Sequence, residues 1–80
     1  MKRAELRALV AEILEVDPAA LQSDVELASL ENYDSVMLLS LMIQLDEGAG
    51  IKMTPSDVPG LRTYGDIEAL AARQGMPLED

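Results

Sequence analysis

The sequence predicts an all-α fold, a small four-helix bundle with three main helices, one short one, and a long loop between the first two. Two observations carry this. Apolar residues recur at steps of three and four in three separate stretches, the spacing that gathers them on one face of a helix. No stretch alternates apolar and polar residues with the period of two that a half-buried strand needs, and no internal repeat or low-complexity tract interrupts the chain. Its 80 residues suit a single domain over 1–80, with a core over about 2–74 and a loose tail over 75–80. At this size burial only just offsets chain entropy, so most apolar side chains must lie inside.

The first helix is expected over about 2–15. Leu6, Leu9, Val10, Ile13 and Leu14 share one face, with Glu5, Arg7, Glu12 and Glu15 on the other side. Asp17-Pro18 ends it, because the residue before proline is pushed out of the α region. Leu21, Val25, Leu27 and Leu30 then follow too loosely for a regular helix but often enough to pin the loop to a core, with a single turn near 18–21. Asp34 suits the N-cap of the second helix, over about 35–47, since its carboxylate can accept from backbone N–H groups one turn on and matches the positive helix end. Gly48 and Gly50 are read as its stop. Two prolines and a glycine between 51 and 60 leave room for a short turn around Ser56. Thr63 and Asp66 resemble a capping box opening the last helix, whose apolar face is Ile67, Leu70 and Ala71 and which ends near Gln74, with Gly75 beyond. Phe and Trp are absent and both tyrosines sit near helix starts, so the core is read as Leu, Ile, Val, Met and Ala, either an ordinary aliphatic core or a deformable one.

Charge and composition exclude several functions. Fifteen acids against six cations give a net charge of -9, and no Lys or Arg lies between Ala8 and Ile51. Such a surface repels phosphate backbones and attracts basic protein patches, so no nucleic-acid partner is expected. With neither Cys nor His, the chain lacks the usual nucleophile, general base and transition-metal ligands, and it is not expected to be an enzyme. Asp17, Asp24 and Glu26 are too scattered for a calcium loop, and no metal site is expected. The run from Val36 to Leu45 is far shorter than the roughly 20 residues of a membrane span, and the N-terminus lacks a signal-peptide pattern, so the expected location is cytoplasmic.

Most of the chemistry is concentrated where Asp34-Ser35 precedes the most apolar segment. With Asp34 as cap, Ser35 is the first helical residue, exposed beside unpaired N–H groups that stabilise a phosphate esterified to its hydroxyl. Asp34 can also orient that hydroxyl or help hold a divalent metal during modification. A plain cap with a bystander serine fits the local sequence as well. On this helix Leu38, Leu41, Met42 and Leu45 face the core, while Met37, Ser40, Gln44 and Glu47 form the opposite stripe. Leu39 and Ile43 are expected to be covered by the long loop. Met37 is expected to contact partners, a role that suits flexible thioethers.

Val16-Asp17-Pro18-Ala19-Ala20-Leu21, Leu30-Glu31-Asn32-Tyr33-Asp34-Ser35-Val36 and Leu61-Arg62-Thr63-Tyr64-Gly65-Asp66-Ile67, in that order and spacing, resemble the acyl carrier protein family, which includes peptidyl and aminoacyl carriers. The likeness runs over about 2–73. It implies that Ser35 receives 4'-phosphopantetheine from coenzyme A, that Asp34 belongs to the modification site, and that the arm's thiol carries acyl or aminoacyl groups as thioesters. It also implies a phosphopantetheinyl transferase and acyl- or aminoacyl-loading and transferring enzymes as partners. Asn32 stands where the family usually has Gly, a residue type that tolerates the left-handed conformation. Val36 replaces the usual Leu, Met37 and Ser40 occupy often acidic positions, and Ala49 stands where an aromatic is expected. The partner-facing surface, Val36, Met37, Ser40, Gln44 and Glu47, is thus greasier and less negative than in a typical fatty-acid carrier. That leans toward a dedicated lipid, aminoacyl or secondary-metabolite pathway. The expected molecule is a discrete monomeric carrier. The alternative is a small acidic helical interaction domain, never modified.

Overall fold

A computed structural model describes residues 1–31 and 33–79. Three α-helices, α1 (Arg3–Leu14), α2 (Ser35–Ala49) and α3 (Tyr64–Arg73), are joined through 3-10 turns at Pro18–Ala20, Leu27–Ser29 and Pro55–Gly60. The first and third turns lie where the sequence places short helical turns, the third running a full six residues. The second was not expected. Asn32, expected to supply a left-handed turn, lies outside the described residues.

α1 starts at the Glu5 carboxylate, which accepts from the Lys2 N–H at 3.1 Å. It closes at Glu15, whose φ of 59° puts a non-glycine residue in the left-handed region, while Val16 N–H returns to the Ala11 carbonyl at 3.0 Å. Asp17 then caps the first turn by accepting from Ala19 N–H at 2.9 Å.

α2 runs antiparallel to α1 and passes through Gly48 to close at Gly50, with φ of 69°. Gly48 does not stop the helix. It lies beside Leu9 of α1, where a Cβ would make an ordinary contact at 3.4 Å.

The long connection is pinned at two levels. Leu21 and Leu27 are fully buried. Its backbone also pairs with the start of α3: Leu27 N–H donates to Arg62 O at 2.9 Å, Tyr64 N–H to Val25 O at 3.0 Å, and Gly65 N–H to Ser23 O at 2.9 Å. α3 begins where Asp66 Oδ2 accepts from the N–H groups of Thr63 and Arg62, each at 2.9 Å. These bonds hold the Asp66 carboxyl below its usual range. Gln74 ties the other end of α3 to the linker after α2, accepting from Lys52 N–H at 2.8 Å and donating to Lys52 O.

The core is aliphatic, built from residues such as Leu6, Val10, Leu14, Leu41, Leu45, Ile51 and Ile67, but its largest fully buried side chain is Tyr64. This corrects the expectation of an aromatic-free core. The ring is tolerated because a polar seam between α1 and α3 flanks it. The Arg7 guanidinium lies 5.7 Å from the ring centre, and Glu68, itself buried, pairs with Arg3 at 3.1 Å. The Tyr64 hydroxyl, Arg7 Nε and Glu68 Oε2 are buried without well-formed hydrogen bonds, although Glu68 and Arg7 are near enough to act on the phenol. Burial first and the Glu68 charge second push the Tyr64 phenol far above its ordinary value.

The tail is also a correction. Arg3 N–H donates to Glu79 O and Glu79 N–H to Met1 O, a parallel bridge between Lys2 and Glu79, while Met76 and Leu78 pack on the core. Those two apolar side chains bring the segment down onto the bundle, and the backbone pairing holds it.

Two outcomes test this fold. In Gly65→Ala the new Cβ would stand 2.8 Å from Ser23 O, backbone that cannot step aside. Urea unfolding should show a loss of about 1–3 kcal/mol, the usual cost of overpacking, whereas fully buried Leu41→Ala should lose about 2–5 kcal/mol. The second outcome concerns pH. The folded state holds the Tyr64 proton more tightly than the unfolded chain does, so stability from this group is intact below pH ~10 and falls as pH rises above it. In a Tyr33→Phe background, phenolate absorbance should appear only together with unfolding, and Tyr64→Phe should flatten that alkaline loss.

Candidate functional site

Asp34 adopts extended backbone angles and turns its carboxylate onto the helix it starts, Oδ1 accepting from Met37 N–H at 2.8 Å. Its carbonyl accepts from Leu38 N–H at 2.9 Å. Neither Ser35 N–H nor Val36 N–H donates to another described residue. Ser35 is exposed, so its hydroxyl stands in solvent at the positive end of a 15-residue helix, beside two N–H groups that no described residue engages. This setting fits a phosphate ester on that oxygen. Among the described residues no group of three or more acidic side chains is arranged to hold a metal ion.

Beside Ser35 a groove of about 620 Å³ opens between the end of α1 and the first turns of α2. Glu12, Glu15, Glu31 and Asp34 line it, Ile13, Val36 and Met37 give it apolar surface, and Ser40 and Gln44 close its far end, joined by a 2.6 Å hydrogen bond.

The site residues expected from the sequence divide into two sets. Val36 is 76% exposed, and Gln44 and Glu47 are exposed as well. Met37 and Ser40 are half-buried, and Met37 packs against the core, so the expected open methionine contact is not on the outer stripe. Leu39 and Ile43, expected under the long loop, are instead 56% and 51% exposed. The reason lies in the loop, whose backbone is drawn to the start of α3 and leaves this flank of α2 open. Glu12, Ile13, Glu15 and Glu31 were not singled out from the sequence. The signal available for them was the run without cations from Ala8 to Ile51.

An exposed serine thus stands at the head of a helix, on a small helical bundle whose surface is open around it. Residues 4–73 match the family described as "Phosphopantetheine attachment site". The chain is 32% identical over 66 residues to an acyl carrier protein of Rhodococcus erythropolis, covering 82% of this chain and 72% of that one. It is 25% identical over 76 residues to polyketide-8 synthase acyl carrier protein 2 of Streptomyces avermitilis, covering 94% and 87%, and 26% identical over 66 residues to a meromycolate extension acyl carrier protein of Mycolicibacterium aurum, covering 82% and 68%. In fold it is similar to the solution structure of a holo acyl carrier protein from Geobacter metallireducens, with a TM-score of 0.75 at 19% identity, covering 86% of this chain and 79% of that one.

The chain belongs to the acyl carrier protein family. Its cofactor is covalently attached 4'-phosphopantetheine, which supplies the thiol that a chain without cysteine cannot provide. Its role is to carry acyl groups on that arm, which requires a transferase to install the arm and biosynthetic enzymes to load and unload it. Among the described residues no helix is long and apolar enough to cross a membrane.

Asp34→Ala should lower stability by about 0.5–2 kcal/mol in urea titrations, as loss of an N-cap does, with amide exchange at Met37 and Leu38 quickened most.

Proposed function

We propose that Ser35 is the phosphopantetheine attachment residue, that Asp34 shapes the modification site, and that partner enzymes approach along the exposed side of α2. The observation that carries this is the exposed Ser35 hydroxyl at the first position of α2, beside two N–H groups that no described residue engages. In the modification, the Ser35 oxygen forms a bond to the phosphorus that bears pantetheine, the pyrophosphate bond of coenzyme A breaks, and its nucleotide half leaves. The hydroxyl proton passes to the transferase. This chain contributes an accessible oxygen and a positive helix end that suits the new phosphodiester, while Asp34, bonded to Met37 N–H, fixes where the helix begins.

The chain performs no chemistry of its own and acts as a cytoplasmic monomer, exchanging acyl or aminoacyl cargo with enzymes of a dedicated lipid or secondary-metabolite pathway. The uncharged stretch Ser35 to Leu45 supports the dedicated pathway, and so do the names of the relatives in meromycolate extension and polyketide synthesis.

Intact mass after incubation with coenzyme A and a broad-specificity phosphopantetheinyl transferase tests the assignment. The parent should gain one phosphopantetheine and Ser35→Ala none, with the variant's unfolding curve within about 0.5 kcal/mol of the parent's, as for a surface substitution. Modification of Ser35→Ala, or a parent that several transferases leave unmodified, would reject it.

A further inference from the structure

The groove beside Ser35 has two ends of different character. Glu31 and Asp34 stand at its mouth, whereas Glu12 and Glu15 of α1 border it further in, beside Gln44. The level of these residues follows from the packing of α1 on α2. Leu9 lies beside Gly48 and the two helices run in opposite directions, so four residues on from that contact Ile13 comes level with Gln44. Gln44 is nine residues past Ser35, about 14 Å along the helix axis. The α1 acids therefore belong to the deep end of the groove and not to the head of α2.

A 4'-phosphopantetheine arm on Ser35 is long enough to bring its thiol to this level, and the lining suits it on the way. Ile13 and Met37 offer apolar surface to the arm's paired methyl groups. Ser40, whose oxygen accepts from Gln44, keeps a hydroxyl hydrogen to give to one of the arm's two amide carbonyls. Where the acyl load would then lie, the nearby charges are carboxylates.

We infer that this groove selects the load on the arm by charge: Glu12 and Glu15 favour an acyl group that bears an ammonium, as an aminoacyl or β-alanyl group does, over one that bears a free carboxylate, as a malonyl group does. This deepens the proposed function by naming the class of load, and it rests on Ser35 as the attachment residue.

The selection is electrostatic and local. No cation lines the groove. Arg3 and Arg7 are turned to the seam with α3, and Lys52 pairs with Asp46 at 3.0 Å beyond the other end of α2. At 0.1 M salt charges act over about 10 Å, so a load at the deep end meets Glu12 and Glu15 while one held out in solvent does not. Their attraction for an ammonium and their repulsion of a carboxylate are of equal size and opposite sign. An amine-bearing load is thus drawn in with the arm, and a carboxylated load stays outside on a free arm.

The test uses the full chain loaded on Ser35 from coenzyme A analogues in which a stable amide replaces the thioester, carrying β-alanyl, propionyl or malonyl groups of nearly equal length. Intact mass and fragment mapping first establish one arm on Ser35. The readout is the change in backbone amide chemical shifts at Ile13 and Gln44 relative to the chain with an unloaded arm. At low salt the β-alanyl load should move these signals at least about threefold more than the malonyl load, with propionyl between them, and high salt should bring the three together. Glu12→Gln with Glu15→Gln should remove most of the difference. A control pair at the opposite end of the bundle, Glu5→Gln with Glu79→Gln, makes the same change of net charge, from -9 to -7, and should keep it. Equal shifts for the β-alanyl and malonyl loads overturn the inference, as do shifts confined to residues 34–37 for every load. An equal effect of the two variant pairs overturns it as well, since net charge alone would then act. A chain that takes no arm on Ser35 overturns the Ser35 assignment instead, and the selection with it.

Discussion

Everything at the working end of this protein depends on how the connection between α1 and α2 is held. Some twenty residues separate Leu14 from Ser35, and a chain of that length left free would let the head of α2 wander. Two buried leucines alone would anchor it loosely. The added constraint is the run of three backbone hydrogen bonds between 23–27 and 62–65, made possible because Gly65 lets the Ser23 carbonyl come within hydrogen-bond distance of its N–H. That close approach fixes the loop against the start of α3, and the loop in turn delivers Asp34 to the position from which it caps α2. The location of Ser35 is therefore set by a glycine thirty residues further on.

The same constraint explains why α2 is apolar on more than one side. Its inner stripe, Leu41 and Leu45 with Leu38 and Met42 at the margins, is what a marginal core of this size requires. Its outer stripe is open because the loop that was free to cover it is committed elsewhere. Leaving large aliphatic side chains in water forgoes the stability that burying them would give and raises the risk of self-association. The net charge of -9, spread around rather than on the stripe, offsets the second of these by keeping copies apart. The polar seam of Arg3, Arg7, Tyr64 and Glu68 serves the other side of the bundle, where α3 meets α1 through one large ring in place of several small side chains.

Much of this was legible in the sequence, and the failures have physical causes. Helix positions followed from spacing, and the caps at Asp34 and Asp66 from chemistry local to three or four residues. Ser35 is proposed as the attachment residue because a cap, an exposed hydroxyl and a family register converge on one position. Of the two glycines read as a stop, Gly50 takes the left-handed cap and Gly48 stays helical, a choice that residue type alone does not make. The burial of Tyr64 needed Arg7 and Glu68 to be brought beside it. The exchange of roles between Met37 and the pair Leu39 and Ile43 reflects a loop trajectory that is decided at α3. The acids of the groove share a helix face with nothing that singles them out, and only the fold sets them against α2.

The pairing of Arg3 with Glu79 has a spatial consequence. α1 and α2 run in opposite directions, so the beginning of α1 lies at the end of the bundle away from Ser35, and the segment through Glu79 is held beside it. The molecule is in effect a plug with both leads at one pole and its contact at the other. A tether attached at either lead, whether a surface, a tag or a neighbouring domain, stands at the opposite end of the bundle from the serine.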